Sequence, residues 1–191
     1  MTELNKENYS PLDEAIFESR IVLMNGGVDS KLAYRTNKRL LALEKADPKK
    51  PIYLFINSPG GEITSGFSIF DTANFIEPDV FTLVTGLAAS MGSLIALCAP
   101  KERRLAFPNS KFLIHQPLIM GTIQGSASDL EIHANDILKT KDKINRLYSK
   151  ETGKPLETVE KATDRDYWMS AEEALEFGLI SKIIHKRSEL P

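Results

Sequence analysis

Residues 81–117 constrain the fold of this chain more strongly than any other stretch. An apolar, β-branched run opens the stretch and predicts a buried strand that breaks at Gly86, and the apolar segment 94–99 predicts a buried helix. Ser90 lies between the two, near a helix N-terminus whose free N–H groups stabilise developing negative charge. A second apolar run ends at His115. A serine and a histidine thus both follow predicted strands, as a nucleophile and its base would.

The composition predicts a single soluble domain. A chain of 191 residues is long enough for one hydrophobic core, and its net charge of −2 provides no basic face for nucleic acid. The single cysteine, Cys98, cannot form an internal disulfide and fits a reducing cytoplasm. The polar N-terminus does not resemble a signal peptide. Polar residues and glycines interrupt the uncharged stretch 80–100, so we expect no membrane span.

Strands and helices alternate in the first half of the chain. The predicted strands cover residues 21–24, 51–57 and 81–84, and the predicted helices cover 32–46, 63–76 and 94–99. This alternation favours an α/β fold with a parallel sheet and right-handed crossovers. Since the strand–helix junctions of such a sheet meet at one edge, Gly60, Gly61 and Ser90 become neighbours.

The second half of the chain adds a long helix to this α/β unit. An apolar stripe over about residues 126–150 predicts a helix too long for a small domain to cover, so we expect it to protrude and pair with another subunit. A capping box opens a later helix, and a final strand is predicted over 179–184. Residues 1–15 predict a flexible lead-in to a domain that covers 16–191.

Five residues form a candidate catalytic constellation: Ser90, His115, Asp166, Gly61 and Met91. Each alone has an ordinary explanation, because a serine that opens a helix is commonly a cap, and histidines and turn aspartates are commonly structural. Together they meet the needs of acyl transfer, since a histidine takes the proton of the serine hydroxyl and an aspartate orients the histidine. The N–H groups of Met91 and of Gly61, at the neighbouring junction, would stabilise the oxyanion.

Two other candidate sites are weaker. Residues 57–61 lack the Gly-Lys-Ser/Thr of a phosphate-binding loop, so we expect no nucleotide there. His133 and His185 have no acids or cysteines at ligand spacing, which argues against a zinc site. We therefore expect the chain to need neither a metal nor a cofactor.

Five ordered motifs resemble those of the Clp protease proteolytic subunit family, over about residues 16–184. They are Asn57-Ser-Pro-Gly-Gly61, Ala88-Ala-Ser90-Met-Gly92, Pro108-Asn-Ser110, Ile114-His-Gln-Pro117 and Thr163-Asp-Arg-Asp166. The resemblance implies Ser90 as nucleophile, His115 as general base and Asp166 as the acid that orients it. Asp166 is preferred to Asp164 because it aligns with the second acid of the family's acid–Arg–Asp turn.

The resemblance also implies an assembly. The family fold is a crotonase-like α/β unit of repeated β-β-α units with a protruding handle helix, and two seven-subunit rings stack through the handles into a tetradecamer. Gly61 and Met91 would be the oxyanion-hole donors, and Asp164 and Arg165 would form ion pairs between rings. A surface pocket that docks an AAA+ unfoldase would contain Tyr53, Phe55, Phe75 and Ile184, for each of which core packing is an equal alternative.

The activity implied by the resemblance is that of an ATP-dependent serine endopeptidase. The unfoldase would use the ATP and thread unfolded polypeptides into the chamber, so this chain would bind no ATP itself. The polypeptide would bind as an added strand beside the segment that follows His115, with main-chain hydrogen bonds that tolerate any sequence.

Three departures from the family pattern keep alternatives open. Residues 1–15 do not resemble the usual N-terminal segment, residues 118–125 form a loop two residues longer than usual, and Ser126 replaces a common glutamine. Because all three touch assembly or docking and not the triad, we hypothesise one paralogue of a two-subunit system, catalytically equipped but inactive alone. A ring subunit that only supports an active paralogue is an alternative. A crotonase-type acyl-CoA enzyme is a further alternative, although such enzymes lack a Ser-His-Asp set.

Overall fold

The computed structural model describes residues 11–118 and 124–191. Its helices are α1 (Pro11–Glu18), α2 (Ser30–Ala46), α3 (Ile63–Phe75), α4 (Met91–Ala96), α5 (Ala127–Thr152), α6 (Leu156–Thr163) and α7 (Ala171–Phe177). Its strands are β1 (Ile21–Asn25), β2 (Ile52–Ser58), β3 (Val80–Ala89), β4 (Arg104–Ala106), β5 (Lys111–Ile114), β6 (Tyr167–Met169) and β7 (Lys182–Ile183). Short 3-10 turns cover Lys101–Arg103 and Arg187–Glu189. The mixed α/β class predicted from the alternating pattern is confirmed.

The strands form one sheet, in which β3 is the central element. Strands β1, β2, β3, β4 and β7 are neighbours in that order and are all parallel. The first half of β3 pairs with β4, and its second half pairs with β5. Strand β6 then pairs antiparallel with β5. This arrangement confirms the parallel sheet expected from the sequence and adds a two-strand extension where β3 ends.

The prediction that the central strand breaks at Gly86 is wrong, because β3 continues through Gly86 to Ala89. The side chain of Asn57, on β2, explains the continuation. Its Oδ1 atom accepts a hydrogen bond from the Leu87 N–H at 3.1 Å, and a Cβ built on Gly86 would lie only 2.8 Å from it. The pairing of β2 with β3 shifts its register at this point. The glycine therefore makes room for a cross-strand side chain instead of ending the strand.

The helix after β3 begins earlier than the sequence predicts. It covers Met91–Ala96, whereas the apolar pattern indicated 94–99. It begins directly after Ser90 because the Ser90 carbonyl accepts hydrogen bonds from the N–H groups of Ser93 and Leu94. The predicted last strand is also shorter, since only Lys182–Ile183 of 179–184 pairs in the sheet.

The N-terminal prediction needs a correction where it overlaps the described residues. Helix α1 begins at Pro11, a residue whose fixed φ suits the first helical position, so residues 11–15 are helical and not a flexible lead-in. Phe17 packs against the core, and the Arg39 guanidinium lies 3.5 Å from the Asp13 carboxylate. The domain boundary drawn at residue 16 therefore falls inside a helix. Residues 1–10 lie outside the described residues.

The long helix predicted over 126–150 is present as α5. Ser126 and Asp129 form a capping box at its start, and Gly153 ends it in the left-handed conformation. The helix carries no buried residue before Ile144, so its first two-thirds extend away from the core. Nowhere in 11–118 or 124–191 is a helix both long and apolar enough to cross a bilayer.

Candidate active site

Ser90 has a backbone conformation that a side-chain-bearing residue rarely adopts. Its φ is 53° and its ψ is −122°, which lies outside the regions favoured by residues with a Cβ. Although Ser90 occupies the position before α4, its side chain makes no capping hydrogen bond. The ordinary explanation, that Ser90 is a helix cap, therefore fails. Strained residues of this kind cost about 1–3 kcal/mol and cluster at functional sites.

Hydrogen bonds on both sides hold this strained backbone. The Ser90 N–H donates to the Leu113 carbonyl at 2.8 Å, which ties the end of β3 to β5. The Ser90 carbonyl accepts from the N–H groups of Ser93 and Leu94, at 3.0 and 3.3 Å, and from the Ser93 hydroxyl at 2.7 Å. The surrounding structure thus determines the conformation of Ser90, while its hydroxyl oxygen has no hydrogen-bond partner in the described ranges.

Strand pairing brings the three candidate catalytic residues to one edge of the sheet. Ala89, just before Ser90, pairs with Leu113 on β5. On the other side of β5, Ile114 pairs antiparallel with Tyr167 on β6. Continuing this antiparallel register by one residue sets His115 opposite Asp166, since residues advance in opposite directions on the two strands. Ser90, His115 and Asp166 therefore terminate three neighbouring strands at the same edge.

Further hydrogen bonds join the segments that carry His115 and Asp166. The Gln116 N–H donates to the Thr163 carbonyl at 2.6 Å, and its side-chain amide donates to the Asp164 carbonyl at 2.7 Å. The side chains of Ser90, His115 and Asp166 nevertheless make no hydrogen bonds to one another within residues 11–118 and 124–191. The backbone therefore places the three residues at neighbouring positions, as the predicted triad requires, and no side-chain hydrogen bond joins them in the part of the chain that the structure describes.

Two residues beside Ser90 have backbone N–H groups without an acceptor among the described residues. Gly61 lies beside Val28 in a short parallel bridge. The Val28 N–H donates to the Gly60 carbonyl and the Glu62 N–H donates to the Val28 carbonyl, both at 2.8 Å, so the Gly61 N–H itself has no acceptor in the described part of the chain. The Met91 N–H is the first of α4, where helical N–H groups have no intrahelical partner. Both residues line the same cavity as Ser90, as oxyanion-hole donors would.

Gly60 is a site residue that sequence analysis placed nearby without giving it a role. Gly61, the predicted N–H donor, packs against a different segment, since a Cβ on Gly61 would lie 2.2 Å from the Val28 carbonyl oxygen. Gly60 is the glycine that packs against the candidate nucleophile, with a positive φ of 89°. The sequence signal was present in the paired glycines, but only the fold distinguishes what each one contacts.

A cavity of about 350 Å³ opens beside Ser90 and His115. Its wall is mainly apolar and is formed by Ile63, Leu94, Leu113, Ile144 and Tyr148, among others. Asp166 does not line it, as expected of an acid that acts through His115. A cavity of this size and character can hold an apolar side chain next to the carbonyl that a serine would attack.

The two residues expected at a ring contact lie outside this cavity. The Arg165 guanidinium lies 3.9 Å from the carboxylate of its neighbour Asp164, and both side chains are well exposed. An exposed pair of this kind contributes little to the stability of a single chain. Both side chains therefore stay available for contacts with another molecule.

The four residues expected in a docking pocket have different environments. Ile184 is 1% exposed and packs with Phe55 in a small cluster on the sheet face opposite the main core, so core packing describes it best. Tyr53 is partly buried, lies 5.5 Å from the Phe81 ring between centroids and donates a hydrogen bond to the Pro191 carbonyl. Phe75 is 81% exposed at the end of α3.

The fold and the site together define a class of protein: an α/β enzyme with a strained serine, a histidine and two free N–H groups at one edge of a parallel sheet. Comparison with known proteins narrows this class. The family model described as Clp protease matches residues 5–187. The ATP-dependent Clp protease proteolytic subunit 1 of Protochlamydia amoebophila (strain UWE25) is 50% identical over 179 residues, which cover 94% of this chain and 87% of that protein.

The chain belongs to the Clp protease family. The recognition made from the five motifs is confirmed, and so is the serine endopeptidase activity expected from it. The alternative of a crotonase-type acyl-CoA enzyme is thereby disfavoured. The roles of individual residues remain predictions from the motifs and the geometry.

Proposed function

We propose that this chain cleaves unfolded polypeptides through an acyl-enzyme formed on Ser90. The observation that carries the proposal is the backbone of Ser90, which is held in a strained conformation at the mouth of a cavity that His115 also lines. A serine with a free hydroxyl, a neighbouring histidine and unpaired N–H donors supplies each group that acyl transfer requires. Family membership supports the same chemistry.

The proposed reaction proceeds in two halves. Ser90 Oγ attacks the scissile carbonyl while His115 takes the hydroxyl proton, and the N–H groups of Gly61 and Met91 bind the oxyanion of the tetrahedral intermediate. The C–N bond then breaks as His115 gives its proton to the leaving amine, which leaves an acyl ester on Ser90. Water attacks this ester with the same proton transfers in reverse. Asp166 orients the imidazole and stabilises its charged form.

The substrate is an extended polypeptide, which would add as a strand beside the segment that follows His115. Main-chain hydrogen bonds then supply affinity without demanding a sequence. The apolar wall of the cavity favours an apolar side chain on the residue whose carbonyl is attacked. Only an unfolded segment can present its backbone in this way.

Assembly into two stacked seven-membered rings is the proposed condition for activity. Leu130 and Leu138 are exposed and lie eight residues apart, on one face of α5, and they give a second subunit an apolar surface to cover. The exposed Asp164 and Arg165 are available for ion pairs across the ring interface. The side chains of Ser90, His115 and Asp166 make no hydrogen bonds to one another among the described residues. Ion pairs beside Asp166 would therefore complete the site by bringing the imidazole of His115 within hydrogen-bond distance of Ser90.

The proposed partner is an AAA+ unfoldase in the cytoplasm, which hydrolyses the ATP and delivers the substrate. The similar protein from Protochlamydia is described as a subunit of an ATP-dependent protease. Exposed Phe75, together with the partly buried Tyr53 and Phe55, supports an apolar docking surface, whereas the buried Ile184 would act by supporting the sheet beneath it.

The deciding experiment is labelling with a serine-reactive fluorophosphonate after each sample has been sized by gel filtration. We expect labelling of the wild type and of Ser30→Ala, whose serine is exposed on α2, and none of Ser90→Ala at the same assembled size. Labelling of assembled Ser90→Ala would refute the assignment. An assembled wild type that labels only after a second, paralogous subunit is added would identify a ring subunit that is inactive alone.

A further inference from the structure

A buried hydrogen-bond chain connects the base of α5 to the candidate nucleophile. The hydroxyl of Tyr148, a residue that is 1% exposed, lies 2.6 Å from the hydroxyl of Ser93. The Ser93 hydroxyl lies 2.7 Å from the Ser90 carbonyl oxygen, which can only accept. Because a serine hydroxyl carries a single proton, Ser93 donates to Ser90 and Tyr148 therefore donates to Ser93.

The donor end of this chain keeps its proton. Burial raises the pKa of Tyr148 well above its ordinary value of 10.0, and the hydrogen bond to Ser93 offsets only part of that rise. The phenol thus remains neutral over the range in which a histidine-dependent enzyme works. The direction of the chain, from Tyr148 through Ser93 to Ser90, is accordingly fixed.

The carbonyl that receives this chain belongs to the same peptide unit as a proposed oxyanion-hole donor. In a planar trans peptide the C=O and the following N–H point in opposite directions. Drawing the Ser90 carbonyl into α4 therefore turns the Met91 N–H outward, toward the cavity that both residues line. The same contact helps to hold the ψ of Ser90, −122°, in its strained backbone conformation.

We propose that Tyr148 is a positioning residue for catalysis, acting through Ser93 to fix the peptide plane between Ser90 and Met91. It sets the direction of the oxyanion-hole N–H and the place of the attacking hydroxyl without touching the reacting atoms. A tyrosine at this position thus has a role beyond filling the core at the base of α5.

The other half of the site is tied to the same turn of α5. The Oδ1 atom of Asn145, three residues before Tyr148, lies 2.9 Å from the Thr163 hydroxyl, whose single proton it shares with the Val159 carbonyl at 3.0 Å. The Thr163 carbonyl in turn accepts from the Gln116 N–H, next to His115. One helical turn therefore contacts both the segment that carries the nucleophile and the segment that carries its base. A displacement of α5 would move the two relative to each other.

The test compares assembled Tyr148→Phe, Ser93→Ala and the double variant with wild type, using kcat, KM and the rate of fluorophosphonate labelling. Tyr148→Phe keeps the ring that fills the core and removes only the hydroxyl. Thr82→Val is the matched control, because Thr82 also donates a buried hydrogen bond to a carbonyl of α4, that of Ala96 at 2.8 Å, at the end of the helix remote from Ser90.

We expect Tyr148→Phe to lower kcat about tenfold with KM nearly unchanged, since an oxyanion contact is made in the transition state and not in the bound substrate. Because Tyr148 acts through Ser93, kcat of the double variant should be no lower than kcat of Ser93→Ala alone. Thr82→Val should have a similar midpoint of thermal unfolding to Tyr148→Phe and retain wild-type kcat. The inference would be overturned if Tyr148→Phe kept the wild-type kcat and labelling rate. It would also be overturned if Tyr148→Phe and Thr82→Val lowered kcat equally.

This inference rests on Ser90 being the nucleophile, and the two can fail separately. If Ser90→Ala keeps its hydrolytic activity, the proposed function itself is wrong. If Ser90→Ala is inactive while Tyr148→Phe matches the wild type, Ser90 keeps its role and only the positioning role of Tyr148 is lost.

Discussion

Gly60 lies directly against Ser90, since a Cβ built on Gly60 would be 2.7 Å from the Ser90 Cβ and 2.6 Å from the Ala89 carbonyl oxygen. Real Cβ atoms do not approach other heavy atoms so closely. The loop after β2 and the turn after β3 therefore pack as one unit, in which no side chain fits at position 60. This contact fixes the loop whose next residue, Gly61, supplies a proposed oxyanion-hole donor.

We predict that Gly60→Ala removes activity while Gly153→Ala does not. Both glycines have positive φ, 89° and 74°, so both substitutions carry a backbone cost of about 1 kcal/mol or more. A Cβ at Gly153 meets no atom within 4 Å, whereas one at Gly60 must displace Ser90 or the Ala89 carbonyl. Peptide hydrolysis and fluorophosphonate labelling of assembled variants measure the difference. Equal activity in the two variants would contradict the close packing of Gly60 on the site.

The sequence was sufficient to predict those features that depend on local pattern. The parallel sheet, the long helix α5 and the position of Ser90 between strand and helix all follow from apolar periodicity and turn residues within short windows. The edge at which Ser90 and His115 meet follows from the topology that such alternation allows.

The remaining features depend on contacts between residues far apart in the chain. Gly86 could not be recognised as part of a strand because the contact that explains it is distant in sequence. Asn57 Oδ1 accepts a hydrogen bond from the N–H of Leu87, a residue 30 positions further along the chain. The link from Ser93 to Tyr148 spans 55 residues. The positive φ of Ser90 has no sequence signal either, since serine does not favour that conformation. Helix α1 was missed because a short helix with a polar lead-in resembles a flexible segment.

A second prediction concerns which acid orients His115. Asp166 is set opposite His115 by the β5–β6 register, so we expect Asp166→Asn to lower kcat by about a hundredfold or more. Asp164→Asn is the variant of the rival acid. It keeps the Asp164 main-chain carbonyl, which accepts the Gln116 amide at 2.7 Å, and changes only a side chain whose proposed place is the ring contact, so we expect it to lower kcat less than Asp166→Asn does. Steady-state kinetics on assemblies of equal size distinguish the two. A larger loss in Asp164→Asn would transfer the role to that residue.

A third prediction concerns the pairing of subunits through α5. Leu138 is 60% exposed on the part of the helix that extends from the core, and a charge there would be buried without a partner if two rings meet along α5. We expect Leu138→Glu to shift the assembly toward half its size, as measured by light scattering coupled to gel filtration. The adjacent exposed residue gives the control, since Lys139→Glu changes more charge but removes no apolar surface. An unchanged size for Leu138→Glu would exclude this face from the interface.

A fourth prediction concerns the buried guanidinium of Arg104, whose side chain is 1% exposed. It donates to the Ala99 carbonyl at 2.6 Å, to the Glu151 carbonyl at 2.9 Å and to the Glu151 carboxylate, so it joins β4 to the end of α5. Removing one partner of a fully buried ion pair costs about 3–5 kcal/mol, but the Glu151 carboxylate left behind is 19% exposed and has the Lys150 ammonium 3.5 Å away. We therefore expect Arg104→Met to lower the free energy of unfolding by about 3 kcal/mol, the lower end of that range, as measured by urea denaturation at a fixed protein concentration.

The neighbouring arginine supplies the control for Arg104. Arg103 pairs with Asp79 at the surface, where the side chains are 32% and 59% exposed, and exposed pairs contribute about 0–1 kcal/mol. Arg103→Met should therefore unfold at nearly the wild-type urea concentration. A loss for Arg104→Met no larger than that for Arg103→Met would mean that the buried network adds nothing to stability.

The last prediction concerns Cys98, the single cysteine of the chain, which is buried just after α4. Burial raises the pKa of its thiol to about 12, although the nearby charge of Arg104 opposes the rise. Because the thiolate is the reactive form, iodoacetamide at pH 8 should leave Cys98 unmodified in the folded protein and modify it fully in denaturant.

The neutral thiol is favoured in the folded state, so its contribution to stability is present below about pH 9 and is lost as the pH rises toward 12. In Cys98→Ala, the free energy of unfolding should not show this part of the decrease between about pH 9 and pH 12. Rapid modification of Cys98 in assembled, active protein would instead mean that the segment after α4 opens to solvent in the folded state, and the rigid hold on Ser90 through α4 would then need another source.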